Sequence, residues 1–152
     1  GPFGRPDMAY FSFTKKIFSK EEIEIYNNGE MSRDFTYIDD LRDALEKIIF
    51  KPPKPSESWD SSSPSPNESN APFKIFNIGN NNPVRIMDFV ETIEEITGRK
   101  FRKKFIGMQL GDVKNTYADI NDIKNEFGFD PKTTIYDGMK EFINWYKDYY
   151  KV

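Results

Sequence analysis

Ser32-Arg33-Asp34-Phe35-Thr36-Tyr37-Ile38-Asp39-Asp40 is the stretch on which the fold turns. Phe35, Thr36, Tyr37 and Ile38 are aromatic or β-branched and predict a short buried strand. Asp39 and Asp40 then open a helix over about residues 39–50, whose apolar positions are Leu41, Ala44, Leu45, Ile48 and Ile49. The joint therefore gathers one arginine and three carboxylates. An arginine ahead of a buried strand, reached through the turn Asn27-Asn28-Gly29, is placed for a bidentate grip on phosphate. The plain alternative pairs Arg33 with Asp34 or a solvated neighbour and leaves Asp39 and Asp40 as helix caps.

Upstream, Pro6 and Asp7 suit a helix start, and Met8, Phe11, Thr14, Ile17 and Phe18 recur at helical spacing, predicting a helix over 6–19. Lys15, Lys16 and Lys20 crowd its C-terminal half, which suits the helix dipole. Ile23, Ile25 and Tyr26 alternate with Glu22 and Glu24 as in a half-buried strand. Downstream, residues 51–72 hold six of the ten prolines and seven serines. Such a stretch buries too little to offset its ordering entropy, which predicts an exposed, dispensable loop with Trp59 as its one anchor. Residues 73–78 (Phe-Lys-Ile-Phe-Asn-Ile) predict a second buried strand. Pro83 then opens a helix with the stripe Ile86, Phe89, Val90, Ile93 and Ile96, stopped by Gly98. Lysine-rich 101–106 predicts an edge strand. A short helix carrying Ile123 and Phe127 ends at Gly128. The last helix starts from Thr134, with Asp137 at capping-box spacing, and buries Ile135, Met139, Phe142, Ile143 and Tyr146. About five helices with a few short, mostly parallel strands make an α/β chain, or α+β for the piece taken alone, read as one unit over 1–152.

Composition narrows the function. A net charge of −3 and interspersed signs give no basic stripe for nucleic acid. With no cysteine and no histidine, thiolate sites, disulfides and the commonest metal ligand and general base are all missing. No metal site is predicted. No apolar run is long enough to span a membrane, which suggests a soluble, cytoplasmic chain. Aromatic residues make up 16% of the sequence, so a few large side chains can supply the core.

Two motifs invite over-reading. Gly79-Asn80-Asn81-Asn82-Pro83 lacks the further glycines of a dinucleotide loop and reads as a turn plus helix start. Tyr136 and Lys140 match a Tyr-x-x-x-Lys dyad, but two residues at one spacing in the final helix are a decoy.

The stretch Arg33 to Asp40, together with Gly1-Pro2-Phe3-Gly4-Arg5-Pro6-Asp7-Met8-Ala9 and Gln109-Leu110-Gly111-Asp112-Val113, resembles the C-terminal part of extended short-chain dehydrogenase/reductases acting on nucleotide sugars. The resemblance is strongest to bacterial NAD-dependent UDP-glucuronate 4-epimerases. It implies a substrate-binding portion without the Rossmann cofactor core. It further implies UDP-glucuronate and UDP-galacturonate interconverted by transient oxidation at C4. By the same resemblance, Arg33 takes the diphosphate and Arg5 faces the sugar or diphosphate. The strand end at Glu24 and Tyr26 lies beside uracil, and Asp112 accepts from the ribose hydroxyls. Gln109 stands where galactose epimerases carry a second phosphate-binding arginine. No catalytic and no NAD-binding residue is expected on this chain. NAD would belong to the family's preceding portion, so the piece alone is expected to be inactive. Self-association is expected because strands built for a larger sheet would be left uncovered. Two other readings stay open: a nucleotide-sugar decarboxylase or dehydratase, and a non-catalytic binding or assembly module.

Overall fold

A computed structural model describes residues 1–152. Five helices carry the chain: α1 (Ala9–Ser19), α2 (Ile38–Ile49), α3 (Ile86–Thr97), α4 (Asn121–Phe127) and α5 (Ile135–Tyr150). Two short strand pairs join them. β1 (Glu22–Ile25) runs parallel to β4 (Arg102–Phe105), and β2 (Ser32–Arg33) runs antiparallel to β3 (Val84–Arg85). The α/β class agrees with the sequence, but the strands divide evenly between parallel and antiparallel pairs.

Local chemistry fixes three of the helix ends. Gly98 and Gly128 follow α3 and α4 in the left-handed conformation, where a Cβ would be strained. Thr134 caps α5: its Oγ1 accepts from Asp137 N at 3.1 Å and donates to Asp137 Oδ2 at 2.6 Å. Along β1, Ile23 and Ile25 are buried while Glu22 and Glu24 face outward.

The main core packs Phe11 and Ile17 of α1, Ile23 and Ile25 of β1, Phe89, Val90 and Ile93 of α3, and Met139, Phe142, Ile143 and Tyr146 of α5. Tyr10 meets Phe142 edge to face at 5.0 Å, and Phe35 stacks on Phe89 at 4.8 Å. A smaller cluster joins Ala44 of α2 to Ile120, Ile123 and Phe129. Beneath the main core, Glu94 ties α3 to β4. Its carboxylate accepts from Phe101 N (2.9 Å), Lys103 Nζ (2.6 Å) and Lys100 Nζ (2.9 Å). Burial alone would raise this carboxyl, but those donors outweigh it and hold it below the usual range.

Three expectations from the sequence need correction. Residues 35–38 are not a strand. The chain leaves β2 extended without a ladder partner, Asp34 N donates to Thr116 Oγ1, and α2 begins one residue early at Ile38. The aromatic pattern there records packing: Phe35 stacks on Phe89 of α3, and Tyr37 lies against Gly138 of α5. Residues 73–78 do keep the two-residue alternation: Phe76 and Ile78 pack on the smaller cluster while Phe73 and Ile75 are exposed. Yet the Lys74–Glu68 bridge, with Ile75 N donating to Asn67 O, is all the pairing it makes, and no strand results. The helix expected from Pro83 begins at Ile86, since Val84 and Arg85 are taken by β2. Residues 51–72 hold no helix or strand, and the bond Ser56 N to Ser69 O draws the two limbs of this loop together.

Candidate nucleotide-sugar site

One cavity of about 910 Å³ opens between α1, the ends of β1 and β2, the 109–116 segment and the start of α5. Glu24, Tyr26, Arg33, Gln109 and Asp112 line it together, although more than eighty residues separate the first from the last. Tyr26 reaches the wall because the chain turns sharply after β1. Asn27, Asn28 and Gly29 all have positive φ, and a Cβ on Gly29 would sit 3.0 Å from the Met87 side chain. Arg5, the sixth candidate, is not among the lining residues; its side chain is 72% exposed and pairs with Asp7, which does line the cavity.

Arg33 sits in a partial cradle. Nη1 donates to Ser32 O (2.8 Å) and Lys114 O (3.1 Å), and Nη2 donates to Asp112 Oδ1 at 2.8 Å. The guanidinium Nε has no protein acceptor. Asp112 Oδ1 also accepts from Val113 N at 2.8 Å, which leaves Oδ2 free to accept from a ligand hydroxyl. The pair is half-exposed, at 24% and 32%, so it can exchange partners without stranding a buried charge.

The Arg33–Asp34 pairing is absent, because Asp34 works elsewhere. Its carboxylate accepts from Asn81 N (3.1 Å), Asn82 N (3.4 Å) and Ala118 N (3.1 Å). Sequence reasoning missed this role. Asp34 pins the segment that carries Asp112, with help from Ser32 N to Lys114 O (3.0 Å) and Thr116 N to Ser32 O (3.2 Å). The same contacts settle the 79–82 turn, whose Asn81 and Asn82 N–H groups are spent on Asp34. That turn does not fit a dinucleotide pyrophosphate, which needs such donors free.

Tyr37 and Tyr10 also reach the cavity. Burial, and then nearby carboxylates, raise both phenols, so they stay protonated near neutral pH and act as hydrogen-bond groups. Tyr136 and Lys140 are not on the wall. No group of three or more histidine, cysteine or carboxylate residues is arranged to hold a metal, and no helix is long and apolar enough to cross a membrane.

Residues 1–60 match the family described as NAD dependent epimerase/dehydratase. Over 99% of its length the chain is 49% identical to Protein CapI of Staphylococcus aureus, of which it covers 45%. The likeness to the NAD dependent epimerase/dehydratase family rests on residues 1–60. It is likewise 39% identical to a probable UDP-glucuronate 4-epimerase of Rhizobium meliloti, again covering 45% of that protein. In three dimensions it resembles the UDP-glucuronic acid 4-epimerase of Bacillus cereus solved with UDP-glucuronic acid and NAD. There the TM-score is 0.79 at 27% identity, over 99% of this chain and 43% of that one. The chain thus spans less than half the length of these relatives.

Proposed function

We propose that this chain is the nucleotide-sugar-binding portion of a UDP-glucuronate 4-epimerase. The observation that carries the reading is the convergence of Glu24, Tyr26, Arg33, Gln109 and Asp112 on one cavity large enough for such a ligand. Arg33 offers Nε and a shared Nη2 edge to diphosphate oxygens, as a fork that lysine cannot copy. Asp112 Oδ2 accepts from ribose hydroxyls. The aromatic face of Tyr26, with the backbone at Glu24 and Tyr26, meets the uracil. Gln109 supplies a neutral amide on the same wall. Arg5 stays outside this assignment, bound to Asp7.

The whole protein would interconvert UDP-glucuronate and UDP-galacturonate through NAD-dependent oxidation at C4. The acid–base and hydride steps lie outside these residues, and a cytoplasmic location belongs to the same proposal. So does self-association, since Leu45, Ile49 and Phe50 of the α2 region and Phe73 and Ile75 are all exposed. The test joins this chain to the cofactor portion of a UDP-glucuronate 4-epimerase and analyses the product from UDP-glucuronate. UDP-galacturonate supports the reading. A UDP-pentose or a released 4-keto sugar moves the chain to a decarboxylase or dehydratase.

A further inference from the structure

Four lysines are half-buried: Lys16, Lys74, Lys103 and Lys147. Three have their charge answered. Lys74 pairs with Glu126 at 2.7 Å, Lys103 pairs with Glu94 at 2.6 Å, and Lys147 stands over the Phe18 ring at 5.9 Å. Lys16 alone has no carboxylate within 4.0 Å and no ring beneath its ammonium, and it lines the cavity.

The other charged side chains on that wall sharpen the contrast. Asp7 is paired with Arg5, Glu24 with Lys104 at 3.3 Å, and Arg33 with Asp112 at 2.8 Å, while Asp34 is filled by backbone N–H groups. Lys16 is thus the one unanswered side-chain charge on the wall. It is held there by helix geometry: α1 buries Phe11, Thr14 and Ile17 and turns Ser12, Phe13 and Lys16 toward the cavity. Sequence alone marks Lys16 only as a helix-end lysine.

We propose that Lys16 is a second anion-binding group of this cavity and receives a phosphate of a nucleoside diphosphate. This rests on reading the cavity as a nucleotide-sugar site, because that reading gives Glu24 and Tyr26, on the same wall, to the base, and phosphates follow the nucleoside. Lys16 then acts as a point charge in the same cavity as the Arg33 fork. Partly desolvated, it meets phosphate with less solvent screening than a surface lysine.

Calorimetric titrations of the chain with UDP, uridine and inorganic pyrophosphate test this, on wild type, Lys16→Gln and Lys16→Arg, with melting curves of each. Lys16→Gln is expected to weaken UDP and pyrophosphate about tenfold, to leave uridine unchanged and to melt like wild type. Lys16→Arg is expected to keep most of the affinity. UDP binding to Lys16→Gln at wild-type strength would overturn the proposal and leave the nucleotide-site reading standing. A matched loss of affinity and melting temperature in both variants would also overturn it, by assigning Lys16 to folding. Pyrophosphate binding that depends on Lys16, without any gain from the nucleoside in UDP, would keep the Lys16 anion site and remove the nucleotide reading. No binding of any probe to wild type would end both.

Discussion

Two ion-paired sites in this chain look alike on paper and differ in what they leave open. Glu94 has a side chain 2% exposed, and both of its oxygens are filled by Phe101 N, Lys103 and Lys100. Arg33 and Asp112 are half-exposed and joined by one bond, with a guanidinium N–H and a carboxylate oxygen still unpartnered. The closed site fastens α3 to β4. The open one sits on a cavity wall, where its spare donor and acceptor can serve a ligand. A charge that the protein answers completely serves as architecture, whereas a charge answered by half on a concave wall keeps hydrogen-bonding capacity free for a ligand.

Breaking the closed site should cost most. Glu94→Ala orphans the buried Phe101 N–H and unpairs Lys103, and is expected to destabilise the fold by about 3 kcal/mol. Urea unfolding would show this as a lower midpoint at unchanged slope. A loss under half a kcal/mol would mean the cluster is ornamental. Asp34 lies between the two kinds. Asn81 and Asn82 can rehydrate, but the partly buried Ala118 N–H cannot do so fully, so Asp34→Ala should cost about 1–2 kcal/mol. Because Asp34 also pins the segment bearing Asp112, UDP affinity should fall with it. Stability lost at full affinity would detach Asp34 from the site.

Acid gives a finer separation. The folded Glu94 carboxyl lies below its unfolded value, so its stabilisation is fully present above the unfolded pKa and disappears as pH falls through the folded one. The gap in melting temperature between wild type and Glu94→Gln should therefore be constant near neutral pH and shrink below about pH 4. A gap that widens in acid would contradict the assigned shift.

The contrast also shows what sequence could and could not say. Three helix ends were legible because their causes are local: Gly98, Gly128 and the Thr134–Asp137 cap act within a few residues, whereas the starts of α1, α2 and α3 were placed one to three residues off. Strands at 35–38 and 73–78 were misread because alternation encodes which face is buried, whereas a ladder needs a partner segment that no local pattern reveals. The resemblance named Glu24, Tyr26, Arg33, Gln109 and Asp112, and the fold places them on one wall. Arg5 and Asp34 differ in the reach of their contacts. Arg5 found a partner two residues away, while Asp34 serves backbone groups 47 and 84 residues distant. Lys16 was hidden because its distinction is the lack of a partner.

The central claim is that Arg33 belongs to a diphosphate site and not to the scaffold. Calorimetric titration of UDP into wild type, Arg33→Ala and Arg33→Lys, with melting curves of the same proteins, tests it directly. A charge-assisted fork is worth roughly 1.5–3 kcal/mol, or about one to two decades of affinity. Arg33→Ala and Arg33→Lys should both lose nearly that much while melting close to wild type. Unchanged UDP affinity in Arg33→Ala, or a melting temperature that alanine lowers and lysine restores, would make Arg33 a structural partner of Asp112 and contradict the account.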